Sequence, residues 1–446
     1  MRIEEALDLL CDEAKRNGAD KFDAVAGESD SLGVEIFESK VKNTEISSSR
    51  GIGIRLFKNN RPGFAFTEKL SPEAIGQTVR DALNHAALTD ELELDLPEPG
   101  KPADIDLKSY EPELENVSFD MMKELGLSLE SAAKGADARI ENVPYLGVSR
   151  GSRRAIVRNS NGVGYNTRGN SISAYVGVVA VEGDSRKMGV YSNGGRSLKL
   201  DVFEPEFMAR RAAERAVELL GAQPAESGEY PVIFSNQVSG RIISMFGSPY
   251  FAENVQKGQS RLDGKLGEKI AVPEFTLLCE PHLPGAPGSR LFDGEGVLTQ
   301  PMEVVREGVL KNYLYNLEAA RRAGTAATGN GSRGYSGKAG TGFSNLIVPA
   351  GDRSLDDLLA AHPRCILVTK LEGGSGCSAT SGEISIGMQG FLYENGKRIQ
   401  PLENMTINSN YFDMLGLIRG FSKDYSDAFS SVRVPDFLVE SMHVAA

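Results

Sequence analysis

Apolar residues at Ile3, Ala6, Leu7, Leu10, Cys11 and Ala14 recur every three to four positions, so the chain opens on an amphipathic helix that ends near Gly18. From Phe22 to Phe66 the period shortens to two. Runs such as Val34-Glu-Ile-Phe and Gly53-Ile-Arg-Leu-Phe alternate, and turn formers such as Lys58-Asn-Asn-Arg-Pro-Gly separate them. Meandering antiparallel strands are the expected outcome. Ser71-Pro72-Glu73 then supplies an N-cap, a proline suited to the first helical position and an early acid, which predicts a helix to about Leu88.

Between Thr89 and Val117 the chain turns acidic and proline-rich, as in Asp95-Leu-Pro-Glu-Pro-Gly-Lys-Pro, and reads as a connector with no core of its own. Beyond it the earlier order returns. A helix is predicted from about Phe119 to Lys134, strands from Arg139 to Tyr191, and a helix from about Glu204 to Leu220. Two helix, sheet, helix units packed side by side follow from this order, although no residue-level repeat is visible. Residues 221–228, small, polar and broken by Pro224, mark the best boundary in the chain. The expected organisation is an α+β fold with an N-terminal domain over 1–222, its connector near 89–117, and a strand-rich C-terminal domain over 228–446. That second domain opens on the strand Tyr230-Pro-Val-Ile-Phe, with short helical stretches near 238–246, 317–323, 355–359 and 411–418.

Composition narrows the class. With 446 residues, 40% of them hydrophobic and 25% charged, the chain has the balance of an ordinary folded protein. Its start, Met1-Arg-Ile-Glu-Glu-Ala-Leu, lacks the positive region and continuous apolar run of an export signal, and nothing approaches the roughly 18 apolar residues of a membrane span. A cytoplasmic location is therefore expected, with no membrane partner. The four cysteines, Cys11, Cys279, Cys365 and Cys377, are far apart and read as free thiols. A net charge of −12 argues against nucleic acid as a partner, because a phosphate backbone demands a basic footprint.

Candidate chemistry is sparse. A hydrolytic metal site needs two histidines close on one helix and a third ligand brought in by the fold, yet His85, His282, His362 and His443 are isolated and no H-E-x-x-H spacing exists. Gly329-Asn-Gly-Ser-Arg-Gly matches a dinucleotide fingerprint, but Thr325-Ala-Ala-Thr before it and Tyr335-Ser-Gly-Lys after it are not the strand and helix that give the fingerprint meaning. A flexible surface loop is the better reading, and its glycines also suit close approach to an extended peptide. Gly373-Gly-Ser-Gly-Cys-Ser-Ala-Thr-Ser-Gly gathers a thiol and several hydroxyls without a base or a nucleophile elbow, so a turn whose hydroxyls satisfy backbone groups is preferred to a catalytic loop. Asp293 in Asp293-Gly-Glu-Gly is most simply a hairpin residue.

A series of phrases, taken in order, resembles the PmbA/TldE branch of the TldD/PmbA family. It runs through Tyr230-Pro-Val-Ile-Phe-Ser-Asn-Gln, Ser260-Arg-Leu-Asp-Gly-Lys-Leu-Gly-Glu-Lys-Ile, Phe292-Asp-Gly-Glu-Gly-Val and Glu307-Gly-Val-Leu-Lys-Asn-Tyr-Leu. Thr328-Gly-Asn-Gly, Ser381-Gly-Glu-Ile-Ser, Gly390-Phe-Leu-Tyr-Glu-Asn-Gly and Asn404-Met-Thr-Ile-Asn-Ser-Asn complete it, and Gly51-Ile-Gly-Ile-Arg-Leu-Phe carries the weaker likeness of the first half. The resemblance implies a peptidase-associated protein, once called a modulator of DNA gyrase. In the TldD branch a His-Glu-x-x-x-His helix and a later cysteine hold the metal. Here Gly240-Arg-Ile-Ile-Ser-Met-Phe-Gly-Ser-Pro occupies that place, with Ser244 and Pro249 about where histidines belong, and no cysteine follows Cys377.

The resemblance therefore implies a subunit with no catalytic or metal-binding residue of its own and no cofactor, zinc being expected in a TldD-type partner. The alternatives are a homodimeric hydrolase with an unconventional metal or nucleophile site and a non-enzymatic regulatory protein. A heterodimer with the TldD-like chain, or a homodimer, would enclose a groove for an unfolded peptide bound as an added strand. Gly374, Gly376, Thr380, Ser381 and Gly382 are the expected groove-lining residues, followed by Asn330 and Asp293.

Overall fold

A computed structural model describes residues 1–199 and 201–446. The first half contains α1 (Ile3–Arg16), β1 (Lys21–Phe37), β2 (Lys40–Lys58), β3 (Arg61–Thr67), α2 (Pro72–Ala86), α3 (Phe119–Gly135), β4 (Ile140–Asn159), β5 (Gly164–Glu182), β6 (Ser185–Gly195) and α4 (Pro205–Val217). The predicted helices appear: the Ser71 hydroxyl, the predicted cap, accepts from the Ala74 N–H at 3.3 Å, and the Ser118 hydroxyl caps α3 by accepting from the Met121 N–H at 3.2 Å.

The two units join into one antiparallel sheet in the order β3-β2-β1-β4-β5-β6, sewn at its centre by β1 against β4 from Asp23↔Asn159 to Glu35↔Gly147. Even-numbered residues of β1 face the helices. Phe22, Ala24 and Ala26 pack with α1 and α2, while Val34 and Ile36, farther along the same face, pack with α3 and α4. Two helix pairs thus lie side by side on one face. Val25 points to the opposite face and packs with Phe292 of the second domain.

The second half contains β7 (Gly228–Phe234), α5 (Ser239–Met245), α6 (Ala252–Gln256), β8 (Leu277–Cys279), β9 (Met302–Arg306), β10 (Val309–Leu310), α7 (Leu317–Ala323), β11 (Gly331–Ser332), β12 (Gly340–Thr341), β13 (Leu346–Ile347), α8 (Leu355–Ala360), β14 (Arg364–Glu372), β15 (Glu383–Glu394), β16 (Lys397–Asn410), α9 (Tyr411–Leu417), β17 (Ile418–Phe421), β18 (Val432–Arg433) and β19 (Phe437–Ala445). Its main sheet runs β16-β15-β14-β7-β19-β17, and Thr406↔Ala445 to Asn408↔His443 pair β16 with β19, closing five strands into a barrel. Phe234 and Phe437 stack inside the largest core at 5.0 Å, and Phe246 stacks on Tyr411 at 4.6 Å. The architecture is the expected α+β arrangement of helix-and-sheet units followed by a strand-rich domain.

The connector departs from its reading. It holds no regular element beyond a 3-10 turn at Pro112–Asn116, yet Leu94 and Leu96 are buried against Phe57 and Leu317. The alternation Glu91-Leu-Glu-Leu-Asp-Leu hid this, because its acids dominate the composition while every second residue is apolar and turns to one side.

Candidate functional site

Helix α5 stands where the resemblance places a metal helix, and its surroundings explain its residues. The Ser239 hydroxyl donates to the Val434 carbonyl at 2.8 Å. A Cβ on Gly240 would come within 3.1 Å of Val432, so glycine lets the helix settle against β18. Arg241 and Ser244 line a cleft of about 300 Å³ together with Asn236, Tyr425 and Arg433. No residue from 240 to 249 is a histidine, cysteine, aspartate or glutamate, and among the described residues no three such side chains gather where a metal ion would be held. Guanidinium and hydroxyl groups do not supply the donor set of a zinc site, so the residues here do not fit one.

Arg241 links α5 to the glycine-rich loop between β14 and β15. Its guanidinium donates to the Leu371 carbonyl at 2.6 Å and to the Gly373 carbonyl at 2.5 Å. Gly373 and Gly374 adopt φ of +71° and +130°, conformations that favour glycine. Thr380 and Ser381 are exposed, and the Ser381 carbonyl accepts from Asn410 at 2.9 Å. The Ser378 and Ser381 hydroxyls accept from the backbone N–H groups of Ser381 and Glu383 at 3.3 and 3.4 Å. Gly376 is exposed, but a side chain there would press on Ser385. Gly382 is buried at φ +80°, where a Cβ would lie 2.5 Å from Phe412; it sets the turn.

Asp293 and Asn330 sit in another part of the domain, beneath the N-terminal sheet. Asn330 is buried and donates to Cys279 Sγ at 3.3 Å and the Gly342 carbonyl at 3.0 Å. The segment Gly329–Gly334 is therefore only partly a surface loop: Ser332 and Gly334 are exposed, but Gly329, Asn330 and Gly331 are buried and the Arg333 side chain, 1% exposed, reaches Asp23 of the N-terminal sheet. Local composition could not reveal this, since the surface that covers the segment comes from strands some 300 residues earlier. Asp293 caps its own turn, accepting from the N–H groups of Glu295, Val297 and Gly331 at 2.9, 3.0 and 2.7 Å. Burial, with the neighbouring Glu295 carboxylate, raises its pKa to about 7 against the pull of those donors.

Four charged side chains cross the seam between the domains. Asp23 from β1 pairs with Arg55 of β2 and with Arg333, and Arg55 donates to Glu295 at 2.9 Å. Both carboxylate side chains are fully buried. The Asp23 carboxyl is pushed up by burial, but the two guanidinium groups outweigh that and hold it below its ordinary value.

Matches to three domains of one family cover most of the chain: the PmbA/TldA metallopeptidase domain 1 over residues 22–86, the central domain over 112–220 and the C-terminal domain over 227–446. The chain belongs to the PmbA/TldD metallopeptidase family. It is 28% identical to the metalloprotease PmbA of Escherichia coli O157:H7 over 99% of this chain and 96% of the relative. A solved Thermotoga maritima protein, described as a modulator of a DNA gyrase, superposes with a TM-score of 0.89 at 28% identity over the whole of both chains. The structure of TldE from Thermococcus kodakarensis, at 24% identity and a TM-score of 0.87, covers 99% of this chain and all of that one and shares the fold. These relatives place the chain on the PmbA/TldE side of the family.

Sequence reasoning missed the arginines that line the space between the PmbA/TldD domains. Arg153, Arg154 and Arg168 from β4 and β5 meet Arg290 and Arg333 from the C-terminal domain around a cavity of about 570 Å³. The run Arg150-Gly-Ser-Arg-Arg was a visible signal of positive charge on a strand, but its destination was not.

Proposed function

We propose that this chain is the noncatalytic, peptide-binding subunit of a TldD-type metallopeptidase, completing a groove whose zinc is carried by the partner, in the cytoplasm. The observation that carries the reading is α5: a helix seated where the family's metal helix belongs, presenting Arg241 and Ser244 in place of ligands and bound through Arg241 to the glycine loop. The chemistry of cutting is absent at that point while the loop beside it is held in a defined shape. Thr380 and Ser381, with Gly374 and Gly376, line the path of the peptide, and Gly382 shapes the turn that presents them. Backbone approach at the glycines suits recognition through main-chain hydrogen bonds, which tolerates varied peptide sequences. Asn330 and Asp293 act at one remove by holding the Gly331 strand in place.

Two measurements test this. The purified chain is expected to hold no stoichiometric zinc by elemental analysis; one tightly bound zinc per chain overturns the noncatalytic reading. Thr380→Val with Ser381→Ala, two exposed changes, is expected to lower cleavage of an unfolded peptide by the mixed complex by about ten-fold while circular dichroism stays the same. Unchanged cleavage removes the loop from the groove.

A further inference from the structure

The cavity between the N-terminal sheet and the C-terminal domain concentrates positive charge in a chain where 61 acidic residues outnumber 49 basic ones. Five of its lining residues are arginines, and Asp293 is the one carboxylate among them. Arg154 is matched by Glu4 and Arg333 by Asp23, but among the described residues Arg153, Arg168 and Arg290 have no carboxylate at ion-pair distance. Neutral groups hold these three. Arg153 donates to the Pro287 carbonyl at 3.1 Å, Arg290 to the Gly342 carbonyl at 3.2 Å, and the Arg168 guanidinium lies 3.8 Å from the centre of the Tyr110 ring. Carbonyls and a ring orient a guanidinium without cancelling its charge, so each is preset for an anion from outside.

Two further observations point to a ligand. Arg290 Nε is buried and unpartnered beside this cavity, and Arg333, which lines both this cavity and the one beside Arg55 and Phe64, has a side chain 1% exposed whose second terminal nitrogen is buried without a hydrogen-bond partner. Unmet donors of this kind cost free energy in the empty protein, and an arriving oxygen relieves that cost. Burial lowers the Arg290 pKa against the opposing pull of Asp293, which, with its own pKa held up to about 7, brings only part of a negative charge at neutral pH.

We propose that this interdomain cavity binds the carboxylates of acidic residues in a peptide, so that the subunit selects acidic segments of its substrate. The proposal rests on the peptide-binding reading and adds a sequence preference to it. The volume, about 570 Å³, falls within the range of roughly 300–1,000 Å³ seen for ligand sites, and Phe292, Phe343 and Pro287 supply apolar walls beside the arginines. A long polyanion would meet the repulsion of the −12 net charge outside the cavity, whereas a short acidic segment meets mainly the local arginines.

The test is fluorescence anisotropy with the full chain and two labelled unfolded peptides that differ only by Asp and Glu in one and Asn and Gln in the other. Inorganic phosphate serves as competitor. The variant is Arg153→Gln with Arg168→Gln, both exposed positions, its fold checked by thermal melting. The acidic peptide is expected to bind about ten-fold more tightly than its amide twin, to weaken as salt rises, and to lose that advantage in the variant. Equal binding of the two peptides, or an acidic preference that survives in the variant, overturns the proposal and leaves the peptide-binding reading standing. Phosphate binding at the arginines with no advantage for the acidic peptide assigns the cavity to free anions and also overturns it. If neither peptide binds, both readings fall.

Discussion

Gly53 and Gly135 show how differently one residue type is constrained at two places. A Cβ on Gly53 would sit 1.8 Å from the Tyr335 carbonyl oxygen, and one on Gly51 would sit 2.3 Å from the Tyr335 ring, so the pair forms a slot for the second domain. Gly135, in the last turn of α3, has nothing within 4 Å. Gly53→Ala is expected to cost at least about 1–3 kcal/mol in urea unfolding, because backbone must move. Gly135→Ala is expected to gain roughly 0.5–1 kcal/mol by removing freedom from the unfolded chain. Asp293 belongs to the same scale. The folded protein keeps its proton up to about pH 7, whereas the unfolded chain releases it near pH ~4. Its contribution to stability is therefore complete below pH ~4 and is lost as the pH rises to about 7. The thermal midpoint followed across that window is expected to fall less steeply in Asp293→Asn than in the parent.

At the scale of elements, the alternation in Gly51-Ile-Gly-Ile-Arg-Leu-Phe assigns two jobs to one strand. Ile52, Ile54 and Leu56 enter the core under α1 and α2, while Gly51, Gly53 and Arg55 meet the second domain. Helix α5 divides its labour in the same way, with Ile242 and Ile243 in the barrel core and Arg241 on the glycine loop. Arg241→Ala frees two carbonyls and is expected to speed hydrogen exchange over 371–382, with a loss of about 1.5–3 kcal/mol in local stability. Barrel closure depends on a few pairs at the end of β19. Removing residues 443–446 is expected to expose to exchange those of the 406–408 amides of β16 that face β19, while the β14–β15 amides stay protected, since the latter pair is longer and continuous apart from one irregularity.

For the molecule as a whole, the seam between the domains carries both its cohesion and its charge. Asp23, Arg55, Glu295 and Arg333 form a buried network, and its removal in part is worse than its removal entire. Arg333→Met leaves Asp23 with one guanidinium in place of two and is expected to destabilise the chain by about 3–5 kcal/mol. Asp23→Asn in the same chain is expected to recover part of that loss, a coupling that a double-mutant cycle in urea measures. Next to this charge-paired network lie Arg153, Arg168 and Arg290, which have no carboxylate at ion-pair distance among the described residues. The proposed acidic preference rests on that contrast: the seam is charge-paired where the domains meet and left positive where space remains.

Periodicity was enough to place the four N-terminal helices and the two long-stranded units, because burial of one face leaves a period of 3.6 or 2 in the local sequence. The ordered phrases in the second half were enough for the family, and Gly240-Arg-Ile-Ile-Ser-Met-Phe contains no histidine, cysteine, aspartate or glutamate. What tertiary structure alone decided is which surfaces meet. Arg333 looks like part of an exposed loop until Asp23 of β1 meets it, and Asp293 looks like a plain hairpin residue until burial and Glu295 shift its proton. Nothing near Arg153 in sequence announces Arg290. A buried charge or an arginine cavity is a property of contacts between distant segments, and local sequence carries the charges without the distances between them.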